Sequence, residues 1–151
     1  MSALSFDPGD RTGWAHSSGV TGTIDVRKML ARDRAEALWC IKQQAVDLMM
    51  RHRPELVVIE RPLGRLAATL WPETVTQIIH MAAWGLRIKR VEITANVWRK
   101  LVIGRANKVT DAEVKEAVMR RRFTPQNEHE ADAAAVLIAE DMIQAQVRLA
   151  A

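Results

Sequence analysis

Asp7, Glu60 and Asp132 are three carboxylates whose neighbours single them out, and His129 stands three residues before the last of them. Asp7 closes the short apolar run Leu4–Phe6 and is followed by Pro8-Gly9-Asp10. Glu60 closes Leu56-Val57-Val58-Ile59 and is followed by Arg61-Pro62, so the same device occurs twice. A carboxylate at the end of an apolar strand is costly to desolvate unless it is paired or meets a cation. Taken alone, Asp7-Pro8-Gly9 reads equally as a turn with a solvated Asp, and the rest of the chain decides between the two. Asp132 lies in Glu128-His129-Glu130-Ala131-Asp132, just before Ala133-Ala134-Ala135-Val136-Leu137-Ile138. Helix residues three apart share a face, so His129 and Asp132 project together. The small alanines let that helix approach a sheet closely and turn Asp132 inward. An oxygen-rich set with one imidazole suits magnesium or manganese. Two such ions about 4 Å apart activate a water and stabilise the leaving oxygen in phosphodiester hydrolysis.

The elements that position these residues follow from periodicity. Leu4–Phe6, Trp14–Ser17 and Val20–Val26 read as three short antiparallel strands joined by tight turns. Gly9 and Gly13 let the backbone come close to something. From Lys28 to about Arg53 the apolar residues recur at helical spacing, and Pro54 stops the run. Leu56–Ile59 is a run typical of a strand buried on both faces. Strand, helix and buried strand imply a right-handed crossover and parallel pairing. Sites in such sheets lie beyond the carboxyl ends of strands where the order reverses, which sets Asp7 and Glu60 side by side. Pro72 fits the first turn of a helix running to about Ile88. Its second apolar face, with Trp71, Met81, Trp84 and Ile88, either meets a second subunit or is buried within the monomer. Arg90–Thr94 is a further strand of the sheet and Ala95–Val102 a short helix. Thr110 with Glu113 forms a capping box for a helix to about Arg122. The last helix opens at Asn127 or Glu128 and runs to about Val147. Glu130 reads as a helix-terminus residue, Glu140 and Asp141 as a solvated face, Trp39 and Trp84 as packing residues, and His16, His52 and His80 as isolated.

The totals agree with one domain over 1–151, large enough for a core without disulfides. Apolar residues make up 48% of the chain, and there is a single cysteine, Cys40, which reads as a buried small hydrophobe in a reducing compartment. No signal peptide or membrane-span pattern is present, so a cytoplasmic location is expected. Net charge is +4, yet Arg87–Arg122 carries eleven Lys or Arg against four Asp or Glu. A basic segment in an otherwise acidic chain suggests a polyanionic partner, nucleic acid first among them, although a solvated helical face shows the same pattern.

Four motifs in order, spanning nearly the whole chain, carry a resemblance: Phe6-Asp7-Pro8-Gly9 with Thr12-Gly13; Val58-Ile59-Glu60; Val102-Ile103-Gly104 followed by Lys108; and His129-Glu130-Ala131-Asp132-Ala133. With them the sequence resembles the RuvC-like Holliday junction resolvases of the RNase H-like superfamily. That resemblance implies an α/β fold with a five-stranded mixed sheet, three antiparallel strands then two parallel, flanked by helices. It implies a Mg2+- or Mn2+-dependent crossover junction endodeoxyribonuclease with two ions per site, cutting branched DNA symmetrically. The catalytic and metal-binding positions fall on Asp7, Glu60, His129 and Asp132, where many members carry Asp at the place of His129. Basic positions that hold junction DNA fall on Arg99 and Lys108. Their neighbours Trp98, Lys100 and Arg105, with Arg61 and Arg65 after the Glu, complete the expected DNA-binding set. A homodimer through the 72–88 helix is expected, and Leu63 stands where some members place an aromatic wedge. The alternatives are a YqgF-like RNA-processing nuclease and a non-catalytic nucleic-acid-binding homologue. Asp7-x-Gly9-x-x-x-Gly13 also looks like the phosphate loop of actin-like ATPases, which need two such domains.

Overall fold

The structure is a computed structural model describing all residues except 64 and 65, and the side chains of all but 64–69. Strands β1 (Ala3–Asp7), β2 (Arg11–His16) and β3 (Thr21–Asp25) form an antiparallel meander. Helices α1 (Arg27–Leu30) and α2 (Arg34–His52) lead to β4 (Leu56–Arg61). Helix α3 (Leu66–Gly85) leads to β5 (Lys89–Thr94), and α4 (Ala95–Val102), α5 (Asp111–Met119) and α6 (Glu128–Ala150) complete the chain. The sheet order is β3-β2-β1-β4-β5, with β1–β4 and β4–β5 parallel. The expected five-stranded mixed sheet is therefore the observed one.

Several boundaries differ from the expectation: β2 runs Arg11–His16 rather than Trp14–Ser17, α3 ends at Gly85 rather than Ile88, and α6 reaches Ala150. The first long helix is broken at Ala31–Asp33, where Asp33 accepts hydrogen bonds from the Ala35 and Glu36 amides and caps α2. Helix α3 begins at Leu66 and carries Pro72 inside it rather than in its first turn. Helix α5 ends at Met119, short of Arg122, while its Thr110–Glu113 capping box is formed as expected.

Strand alternation divides the core. Leu4, Phe6, Val57 and Ile59 face α2 and α3, where Ile41, Met49, Val75 and Ile79 are fully buried. Ala3, Leu56 and Val58 face the opposite way, onto Ala131, Ala133, Ala134 and Ala135 of α6 and onto Trp98 of α4. Residues two apart on a strand share a face, so Asp7 and Glu60 belong with the α6 side. Ser5, buried on that side, donates to the Ala133 carbonyl at 2.7 Å and ties α6 to β1.

Candidate active site

Phe6 pairs with Ile59 in the parallel register, and Asp7 and Glu60 each stand one residue further on. Both carboxylates thus leave the carboxyl edge of adjacent strands on one face of the sheet. Gly13 is the antiparallel partner of Asp7. A Cβ at Gly13 would collide with the backbone carbonyl of His129. The missing side chain is what lets the first turn of α6 lie directly on β2 beside Asp7, the close approach the glycine spacing suggested.

That first turn is fastened from two directions. Asn127 caps it by accepting from the Glu130 amide at 3.1 Å. Glu130 itself is buried, and its carboxylate accepts from Thr21 Oγ1 (2.8 Å), Thr23 Oγ1 (3.0 Å), the Gln126 amide (2.9 Å) and Asn127 Nδ2 (3.3 Å). A buried carboxylate with this many donors has its oxygens satisfied without water. Glu130 stands in the first turn of α6, as the sequence reading has it. Its two hydroxyl partners lie on β3, more than 100 residues away in the chain, and no local pattern announces them.

With α6 so held, His129 Nδ1 lies 3.3 Å from Asp7 Oδ2, and His129 Nε2 lies 3.5 Å from Glu128 Oε1. Asp132, one turn on, is half-buried against the two strand-end carboxylates. Burial lifts the Asp7 carboxyl above the usual range, opposed by its hydrogen bond to His129. Burial, then repulsion from Asp7 and Asp132, lifts Glu60 well above its usual value. Burial and Asp7 push Asp132 up to about 7. The Asp7 bond, with Glu128 nearby, raises His129. Three carboxylates so placed repel one another unless protons or cations intervene. The structure therefore brings together all four residues that sequence reading placed in one site.

The oxygen donors suit a hard divalent cation, and their mutual repulsion is what such a cation relieves. Among the described residues, no three His, Cys, Asp or Glu side chains already converge on one point. Binding an ion would draw them inward from backbone positions fixed by β1, β4 and α6.

The basic residues divide. Arg99 is half-buried and faces the site, its charge drawing down the carboxyls of Asp7, Glu60 and Asp132. Its Nε is buried without a hydrogen-bond partner among the described residues. Lys100, Arg105 and Lys108 are exposed. Arg105 pairs with Glu113 and donates to the Lys108 carbonyl at 3.3 Å. Arg61 is exposed and lies 3.9 Å from Glu92 Oε2. Arg65 falls outside the described residues, and Leu63 is exposed.

Trp98 corrects the expected DNA-binding set. It is completely buried in the α6-side core, and its indole Nε1 donates to Glu60 Oε2 at 3.1 Å. A side chain without exposed surface offers no face to a nucleic acid. The neighbouring Arg99 and Lys100 made Trp98 look like part of a basic surface, but α4 turns it inward. Other corrections lie outside the site. Glu140 is buried, with Gln144 donating to it at 2.7 Å, whereas Trp39 and Trp84 are exposed. His16 stacks on His52 with ring centroids 4.5 Å apart, and His80 lies 2.7 Å from Glu92 Oε1. Cys40 is only partly buried.

No family model matches the sequence, and no curated protein matches it. Solved structures do. The Thermus thermophilus RuvC structure superposes with a TM-score of 0.83 at 15% identity, covering 97% of this chain and 96% of that one. T. thermophilus RuvC in complex with Holliday junction substrate gives 0.82 at 14% identity, with the same coverage. End to end, this chain has the fold of T. thermophilus RuvC.

Proposed function

We propose that this chain is a single-domain, structure-selective DNA endonuclease that resolves four-way junctions by divalent-metal-dependent hydrolysis of phosphodiester bonds. The observation that carries the reading is that Asp7 and Glu60 leave adjacent strand ends beside Asp132 and His129 of α6, where burial and the mutual repulsion of the carboxylates favour a cation. The fold of a protein known in complex with Holliday junction substrate adds the substrate class.

Asp7, Glu60 and Asp132 would hold Mg2+ or Mn2+, two ions per site, with His129 as the fourth ligand. The ions would supply a water activated for attack and shield charge on the phosphate. The rest falls to side chains. His129 Nδ1 faces Asp7 and fixes which oxygen of Asp7 stays free. Arg99 offsets the surplus negative charge and meets the scissile phosphate. Lys100, Arg105, Lys108, Arg61 and Arg65 would hold the DNA backbone outside the site.

Two symmetric cuts in one junction require two sites, so we infer a homodimer. Met81 (60% exposed) and Trp84 (71%) on α3 offer the apolar surface for it. No helix among the described residues is long and apolar enough to cross a membrane, and the proposed place of action is the cytoplasm.

The test is cleavage of a labelled four-way junction beside matched duplex and RNA–DNA hybrid, with Mg2+ or Mn2+, and Asp7→Asn as control. Paired cuts confined to the junction are expected. Cleavage of the hybrid instead would move the chain to the RNA-processing branch, and binding without cleavage would leave a non-catalytic homologue.

A further inference from the structure

We propose that Trp98 is a positioning residue, holding Glu60 and Arg99 in fixed relation within the cleavage site; this rests on the nuclease reading above. A buried indole N–H needs an acceptor, and Trp98 finds it on Glu60 Oε2 at 3.1 Å. Its ring is locked in the core by complete burial beside Ile93 and the alanines of α6. Glu60 also faces the negative charge of Asp7 and Asp132, which Arg99 opposes only in part. Without a donor on one oxygen, its carboxylate would swing away from them. With Oε2 occupied, Oε1 is the oxygen turned to a ligand; among the described residues it accepts no other hydrogen bond. The Arg99 guanidinium carbon lies 5.2 Å from the centroid of the same ring, within range of a cation–π attraction. One rigid, buried side chain thus touches both an acidic and a basic member of the site and sets the distance between them. It does so as neighbours that orient metal ligands do: removing them typically weakens metal affinity about 10–100-fold.

The experiment uses the full chain, labelled with 15N, without DNA. Five tryptophans give five indole N–H signals, and loss of one in Trp98→Phe identifies the Trp98 signal. Glu60→Ala is expected to shift that signal more than the other four, and Glu60→Gln, whose amide oxygen still accepts, to shift it less. These two variants leave Trp98 in place, and should Trp98→Phe not fold, replacing the other four tryptophans one at a time assigns the Trp98 signal by elimination. Mg2+ titration of the unmodified chain should move the Trp98 signal ahead of those of Trp39 and Trp84. By calorimetry, Trp98→Phe should bind Mg2+ about tenfold more weakly. A Trp98 signal that stays in place in Glu60→Ala, or normal Mg2+ affinity in Trp98→Phe, overturns the proposal. Both readouts omit DNA, so a chain that cuts no junction would refute the nuclease reading while leaving the Trp98–Glu60 bond measurable.

Discussion

The two faces of the sheet are built by opposite rules. On the α2–α3 face the buried side chains are large: Phe6, Ile24, Ile41, Met49, Ile59 and Ile79. The α6 face also buries Trp98, Phe123 and Leu137 at its margins, but where the helix lies on β1 and β2 it presents Ala131, Ala133, Ala134, Ala135 and Ala139, and the sheet answers with Ser5, Gly13 and Ala15. Large side chains bury more apolar area, and each stabilises the fold more. Small ones bring backbones together, and that face is the one where two strand-end carboxylates meet Asp132 and His129. The α6 face thus trades hydrophobic stabilisation for proximity and regains part of it through directed bonds, from Ser5 to Ala133 and from β3 to Glu130. Packing holds one face together, and register sets the other.

The contrast can be broken most severely at Gly13. Gly13→Val should destabilise the chain by more than about 3 kcal/mol, because the added Cβ, fixed in place by the β2 backbone, meets the His129 backbone and neither can yield. Gly22→Ala should cost less, since its Cβ meets only the Trp14 ring. Thermal unfolding of the pair measures the difference.

Next come the carboxylates. Asp7→Asn, Glu60→Gln and Asp132→Asn should each reduce junction cleavage by about 10³-fold or more, the equivalent of several kcal/mol of lost charge stabilisation. Junction binding should survive. In chelator these sites also work against the fold. Asp132 has a folded-state pKa of about 7 against an ordinary 3.8. Its contribution is therefore most favourable below pH 4 and is lost as pH rises through 7. Asp132→Asn should accordingly match the parent near pH 4 and exceed it by about 2–4 kcal/mol at pH 8. Added Mg2+ should cancel that advantage by stabilising the parent alone. Melting curves across pH with and without Mg2+ would show a flat difference if Asp132 is solvated.

Packing variants sharpen the contrast at smaller scale. Ala134→Leu should cost about 1–3 kcal/mol by overpacking and reduce cleavage as well. Ile79→Val should cost about 0.5–1.5 kcal/mol and leave cleavage intact. Equal losses of cleavage from the two would erase the distinction between the faces. Arg99→Ala and Lys108→Ala should each lower the salt slope of junction binding by about one, with cleavage lost in Arg99→Ala alone. Smallest in stability is Trp84→Ser on the large-residue side, within about 0.5 kcal/mol for the monomer, while sedimentation shifts towards monomer.

What could be read from the sequence was whatever local pattern encodes. Strand alternation and the residue after each apolar run located Asp7 and Glu60, and helical spacing joined His129 to Asp132. The Thr110–Glu113 box gave a helix start, and Asp33 with Glu36 carries the same signature at the break before α2, where it was overlooked. Glu140 and Trp98 depart from expectation for one reason: each stands among charged neighbours in the sequence, and each is buried by the fold. Glu130 stands at the expected helix start, but its burial is not visible locally. The donors that satisfy Glu130 sit on β3, and the acceptor for Trp98 sits on β4.

The tie from Ser5 to Ala133 joins residues 128 apart, and the contact between Asp7 and His129 spans 122. Synthesis runs from the amino terminus, so a ribosome releases Asp7 and Glu60 long before their partners. A nascent chain can pair its strands and cover one face with α2 and α3 while the other face stays bare. Until residues past 132 emerge, Asp7 and Glu60 stand at their strand ends without His129 and Asp132 beside them. Placing His129 and Asp132 together on α6 makes the docking of that helix and the assembly of the cluster a single event.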